Sequence, residues 1–291
     1  MQAPTRNPSW EDRIGRIDRR LVYCGLFLFT LIPLLLGVQL PLYVTRPTIM
    51  LWETIEALPQ DRLVLISSNW DAGTQAETGP QLVAIARHLI RRNLRFAIFS
   101  IGYPTSPQLA QTAVEQAILL EGARDTWVYG EDWINMGYKQ PELPWLRAFA
   151  ADIRSGYTTD WKGVPLDSFA LMQGVRRFGP RGQISALVEV TGSETVDRWY
   201  EFLSPTGVKL VLGCTAVMAP EQYPYLDSGQ LNGLLTGMKG AAEYEQLIGA
   251  PGTGLVLMTG QSFAHLYIVL LIALGNAALI AGRLERRRRA P

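Results

Sequence analysis

Apolar residues along this chain gather in two long unbroken runs near its ends and in many short runs between them. Residues 21–44 hold no charge, and residues 263–282 hold none beyond the ionisable His265. A helix needs about 20 apolar residues to cross the hydrocarbon core of a bilayer, whereas a soluble helix of that length normally keeps a polar face. Both runs therefore predict transmembrane helices. The first is too long for a signal peptide and no small-x-small cleavage site follows it, so it reads as an uncleaved anchor. Pro33 and Pro41 are placed to bend it.

The short runs alternate with helical periodicity. Strands are predicted at 62–67, 96–101, 126–129, 184–190 and 208–212. Helices are predicted at 80–92, with Leu82, Val83, Ile85, Ala86, Leu89 and Ile90 on one side, and at 107–120, 144–153, 166–175, 194–203 and 228–247. Continuous apolar strands between amphipathic helices indicate a mainly parallel sheet covered on both faces. The expected fold class is α/β: a three-layer, Rossmann-like or flavodoxin-like domain flanked by two transmembrane helices. Residues 130–180, rich in aromatic residues, Pro and Gly, interrupt the rhythm. The expected divisions are 1–20, 21–44 (first span), 45–254 (α/β domain), 255–282 (second span with its approach) and 283–291.

Charge orients these parts. The first 20 residues carry five Arg against three acids and the tail from Arg283 five Arg against one, so a net charge of +1 leaves the intervening stretch at −5. Arg residues flank the outer side of both apolar runs, and Arg46 alone among basic residues lies close to an inner side. The positive-inside rule then predicts a two-pass protein of a bacterial or archaeal cell membrane, with both termini cytoplasmic and the domain extracytoplasmic. The middle stretch shows no basic patch, which argues for a lipid bilayer and against nucleic acid as partner. Cys24 lies in the first run and Cys214 in the domain, so the two are not expected to pair.

In open parallel sheets ligands bind at the carboxyl ends of the strands. That rule selects Ser68, Asn69, Asp71 and Glu77 after the first strand, Glu131 after the third, and Thr191 and Ser193 after the fourth. Asp71 and Glu77 are a carboxylate pair for a cation, a basic ligand or acid–base work; the competing role is to stabilise the next helix N-terminus. Thr191-Gly-Ser193 has the strand-to-helix setting that cradles an anion. It lacks a Walker Lys and the full dinucleotide glycine pattern, and Ser193 is also a good helix cap. His88 and His265 stand in no metal-ligand spacing, and neither is placed for a nucleophile–histidine pair. No catalytic residue, metal or cofactor is therefore expected.

Small residues carry the remaining pattern. Gly233, Gly237 and Ala241 recur every four residues within the expected helix 228–247, and Ala273, Ala277 and Ala281 do so in the second span beside Asn276. Gly within a helix costs about 1 kcal/mol relative to Ala, so such a stripe predicts close backbone approach. Gln230, Asn232, Glu243 and Tyr244 would then be free to face a ligand or partner. In lipid, small stripes and interhelical hydrogen bonds favour association with another membrane protein or a second copy.

The run YPYLDSGQLNGLLTGMKGAAEYE at 223–245 resembles a motif of a family of bacterial and archaeal membrane-anchored proteins without assigned function. NMGY at 135–138, TDWKG at 159–163 and MQG at 172–174 are similar to segments of that family, as is a membrane helix at each end. The resemblance implies the anchored α/β layout and transfers no catalytic residue. Trp70-Asp71 stands where the family pattern implies an aromatic-Asp pair, which adds weight to Asp71. The expected function is a non-enzymatic accessory or scaffold protein binding a partner protein or small ligand. The alternatives are a carboxylate-dependent envelope hydrolase or transferase, and an auxiliary subunit of an ABC-type export or transport complex.

Overall fold

The computed structural model describes residues 17–38 and 41–289, the last five as backbone only. Arg6, Arg13 and Arg16 of the basic N-terminal segment, residues 39–40 of the expected first span and residues 290–291 of the tail lie outside the described residues. Two compact units divide the chain: residues 41–255, and the flanking segments 1–40 with 256–291.

The 41–255 unit is built on a six-stranded sheet. Its strands are β1 (Leu63–Asn69), β2 (Phe96–Ser100), β3 (Trp133–Tyr138), β4 (Ile184–Thr191), β5 (Lys209–Cys214) and β6 (Leu234–Thr236). Their order is β3-β2-β1-β4-β5-β6, and every neighbouring pair is parallel. β1 and β4 are buried along their whole length, as strands covered on both faces must be. This order is Rossmann-like, with its reversal between β1 and β4.

The helices follow in chain order, beginning with α1 (Arg19–Leu35) in the flanking unit. The domain contributes α2 (Arg46–Glu56), α3 (Gln75–Arg91), α4 (Ser106–Leu120), α5 (Leu143–Ala151), α6 (Ile153–Gly156), α7 (Val196–Phe202), α8 (Ala219–Asp227) and α9 (Gly237–Leu247). The last, α10 (Thr253–Arg289), runs into the flanking unit. One sheet face packs on α2, α3, α4 and α9 through Leu51, Ile55, Leu82, Leu89, Val114 and Tyr244. The other packs on α5 to α8 through Leu146, Phe149, Ile153, Trp199 and Leu226.

Three elements differ from expectation. The third strand is not 126–129 but Trp133–Tyr138. Residues 126–132 form a turn closed by Gly130, at φ +87, and by the Asp132 carboxylate, which accepts from Val128 N at 2.8 Å. Asn and Gly are poor strand formers, yet here the Asn135 amide donates to Pro107 O and Gln111 Oε1 and accepts from Gly137 N. Gly137 lets the Trp161 backbone come close, and Trp161 N donates to Asn135 O on the strand's open edge. Residues 166–175 hold two short 3₁₀ turns rather than a helix.

The expected helix 228–247 is instead a loop, β6 and α9. Gly233 and Gly237 stand on either side of the three-residue strand, so with Ala241 they share no helical face. Gly233 is needed because a Cβ there would overlap the Leu51 backbone of α2. Gly237, at φ +55, makes the strand-to-helix corner beside the Glu77 carboxylate. Ala241 is buried inside the domain and open to no partner.

In the flanking unit, the first helix stops at Leu35, where Gly37 at φ +64 turns the chain. Its 17 residues extend about 25 Å, at the lower end of what crosses a hydrocarbon core of about 30 Å. Among the described residues one helix, over Thr253–Leu284, is long and apolar enough to cross a membrane, where two were expected. Pro33 lies inside α1, while Pro41 lies beyond it. Tyr267 of α10 donates to Val22 O at 3.0 Å, and Phe29 packs on Phe263 and Tyr267. Gly25 faces the Tyr267 ring and Gly260 faces Thr30 and Leu34. The close contacts of this pair thus fall on glycines, while Ala273, Asn276 and Ala277 are exposed and Ala281 is half-buried.

Candidate functional site

The carboxyl ends of β1 and β4 lie at the reversal in strand order, where an open α/β sheet offers its crevice. In this chain Asn69, the last residue of β1, fills that point. Its Oδ1 accepts from Ser100 Oγ (3.0 Å), Ile101 N (2.7 Å) and Gly102 N (2.8 Å). Its Nδ2 donates to Ser67 Oγ (2.7 Å) and to Glu189 Oε1 (2.8 Å). Glu189 of β4 also accepts from Thr195 Oγ1 at 2.6 Å and, through Oε2, from the Trp199 indole at 2.7 Å. Burial pushes the Glu189 carboxyl above its ordinary value, against the pull of these donors.

The surrounding loops close over this network. A Cβ on Gly192 would overlap Thr74, and one on Gly102 would press on Asn69. Thr191 Oγ1 donates to Asn69 O (3.1 Å) and accepts from Ser193 N (2.9 Å). Ser193 therefore ties its own loop; α7 starts at Val196, and Ser193 does not cap it. Thr191 and Ser193 join the Asn69 cluster, and the Thr191 hydroxyl is bonded to Asn69 O, Ser193 and Thr195.

The expected carboxylates do not converge. Asp71 Oδ1 accepts from Gly73 N (3.0 Å) and Thr74 N (3.3 Å), ordering the turn before α3. Glu77 reaches across to Ala216 N at 2.8 Å and fastens the loop after β5. Glu131 is exposed in the turn before β3, at the opposite pole from the predicted rim. Ser68 is fully buried and its hydroxyl has no partner among the described residues. Cys214 is buried, which pushes its thiol up to about 12.

Sequence reasoning passed over Glu189, although a single acid inside the apolar run ISALVEVT is itself a signal, since acids are almost never fully buried unless paired. It also separated segments that the fold joins. Met136–Tyr138 of NMGY and Thr159–Trp161 of TDWKG line one cavity of about 260 Å³ with Pro104 and Pro107. Asp160 shapes it, accepting from Lys162 N (2.9 Å), Val164 N (2.8 Å) and Tyr129 Oη (2.8 Å). Its carboxylate is thereby committed. MQG lies apart, with Met172 in the core.

No family model, curated protein or solved structure matches the chain. The site must be read from its own geometry.

The end of the 223–245 run is tied to two other helices. Glu243 Oε2 accepts from Thr45 N (3.0 Å), Thr45 Oγ1 (2.6 Å) and Thr48 Oγ1 (2.7 Å), at the start of α2. Glu245 accepts from Gly252 N (3.0 Å), Gly254 N (2.9 Å) and Leu255 N (2.8 Å), at the start of α10. Backbone N–H groups in a first helical turn lack intrahelical partners, so each carboxylate serves as a cap from another helix. A side chain at 252 or 254 would collide with Glu245, which explains both glycines. Burial alone would raise both acids; hydrogen bonds from Thr45, Lys239 and Thr48 carry Glu243 below its ordinary value, while Glu245 stays above. Glu243 and Tyr244 are thus structural and face no ligand.

Tyr244 Oη lies 2.6 Å from His88 Nδ1, and His88 Nε2 lies 2.9 Å from Glu56 Oε1, with Trp52 stacked on the ring. Burial lowers the His88 pKa, an effect that Arg92 and Arg91 reinforce and Glu56 opposes. A neutral ring donating to Glu56 and accepting from Tyr244 satisfies both contacts. Because the folded value lies below the ordinary 6.5, the unfolded chain takes up a proton first as pH falls. Stability is then complete above that value and declines below it, toward the folded pKa. Urea unfolding from pH 8 to 5 is expected to show this decline, and His88→Gln to flatten it.

Proposed function

We propose that this chain is a two-pass membrane-tethered, non-enzymatic accessory or scaffold protein, with both termini cytoplasmic and its α/β domain extracytoplasmic. The observation that carries the reading is that the polar side chains of the carboxyl pole bond to one another. Where a Rossmann-like enzyme opens its crevice, Asn69, Glu189, Thr191 and Thr195 bond to one another and Thr74 sits against Gly192. The carboxylates an envelope hydrolase or transferase would need, Asp71, Glu77 and Glu131, are spent on loops or lie at the other pole. Exposure of Ala273, Asn276 and Ala277 on α10 suits close packing against a second membrane protein or a second copy.

Affinity purification in mild detergent, with mass spectrometry of what accompanies the chain, tests the proposal. The expected result is a membrane partner whose recovery falls when Ala273→Leu, Asn276→Leu and Ala277→Leu are combined. An ATPase or permease among the partners would assign it to an ABC-type complex. A chain that emerges alone and monomeric, or a purified chain whose substrate turnover is abolished by Asp71→Asn, would sink it.

A further inference from the structure

A cavity of about 470 Å³ lies at the amino pole of the sheet, away from the usual Rossmann crevice. Ligand pockets span about 300–1,000 Å³. One wall is a face of α2 formed by Arg46, Met50, Glu53 and Thr54, ending at Ala57, with the spacing of residues that share one helical side. The leading ends of β1, β4 and β5 supply Arg62, Ser185 and Lys209, and Leu58, Pro59 and Pro180 add apolar surface.

Three cations meet one acid on this lining, a net of +2 within a stretch of the chain that carries −5. Arg62 and Lys209 have no hydrogen bond or ion pair through their side chains among the described residues. β4 separates β1 from β5, so the strands that carry the two cations run two strand spacings apart, roughly 10 Å, with Lys209 level with Ala186 and Val64, and Arg62 just before them. Among the described residues Arg46 is held only by Glu53 at 3.4 Å, with both side chains at least half exposed, and an exposed pair of that kind resists a competing anion weakly.

From this juxtaposition of unpaired cations and apolar wall we infer that the cavity binds a phosphate monoester attached to an apolar body. A monoester carries about −1.5 to −2 charges near neutral pH, which matches the lining. The apolar body lies along Met50, Leu58 and Pro180. Arg62 and Lys209 engage the phosphate from two sides, and Arg46 exchanges Glu53 for it.

Calorimetric titration of the full chain, held in phosphatidylcholine nanodiscs, tests it with dihexanoyl phosphatidic acid, phenyl phosphate, inorganic phosphate and dihexanoyl phosphatidylcholine. Phosphatidic acid or phenyl phosphate is expected to bind, and whichever binds tighter identifies a lipid or a compact soluble source. Arg62→Gln and Lys209→Gln should each weaken binding by about tenfold or more, since a charge-assisted hydrogen bond is lost, while Lys209→Arg retains it. Ala57→Trp, which keeps every charge and fills the cavity, should abolish binding. Equal binding of phosphatidylcholine, inorganic phosphate binding as tightly as both esters, or an affinity indifferent to these substitutions in folded protein would overturn the inference. So would failure of both esters to bind.

Discussion

Asn69→Ala is expected to destabilise the domain by about 3–5 kcal/mol, the range for breaking a buried charged or hydrogen-bonded pair on one side. The side chain holds five hydrogen bonds at full burial. Alanine would leave the Ile101 and Gly102 N–H groups unsatisfied and the Glu189 carboxylate short of a donor. A domain of about this size loses roughly 2–4 °C of unfolding temperature per kcal/mol, so thermal melting should fall by on the order of 10 °C. Asp71→Asn is the comparison. It touches a half-exposed turn and should stay within about 1 kcal/mol of the parent. If the two variants melted together, the carboxyl pole would not be the tightly bonded centre described above.

Glu245→Ala is the second large effect. Three backbone N–H groups at the start of α10 converge on this one carboxylate. Loss of a cap costs about 0.5–2 kcal/mol, and buried unsatisfied donors add about 1–3 kcal/mol; a loss near 3 kcal/mol is expected. Hydrogen exchange reads it locally, because the amides of Gly252, Gly254 and Leu255 should exchange faster by on the order of 100-fold, while β1 and β4 keep their protection. Glu245→Gln retains an acceptor and should lose less. Burial raises the Glu245 pKa, so its contribution is present in acid and lost as pH rises through the folded value. The penalty of Glu245→Gln should accordingly shrink toward neutral pH.

The parallel sheet was legible because β1, β2, β4 and β5 are continuous apolar runs, and continuity is what burial on both faces demands. β3 and β6 were hidden for opposite reasons. β3 contains Asn135 and Gly137, chosen for a side-chain network and a close approach at an edge, so propensity misleads there. β6 is three residues long and sits inside a stretch whose glycine spacing imitates a helical stripe. Tertiary contact decided both glycines: Leu51 backbone for Gly233 and the Glu77 corner for Gly237.

Site residues divided in the same way. Asn69 and Thr191 do end β1 and β4, but their position alone did not show that they would bond into one cluster with Glu189 of the adjacent strand. Glu131 followed the misplaced third strand to the wrong pole. The cations of the amino-pole cavity lie at 46, 62 and 209, far apart along the chain and joined only by the order β1-β4-β5.

The two carboxylates of α9 have a mechanical consequence. Glu243 fastens Thr45 and Glu245 fastens the 252–255 turn, two positions apart on one helix. The domain therefore begins and ends on the same helix. A pull applied through the polypeptide at either end would be borne first by α9 and only later by the sheet. The same closure makes residues 45 and 252 a natural seam for joining the ends with a short linker and opening the chain elsewhere, as in circular permutation.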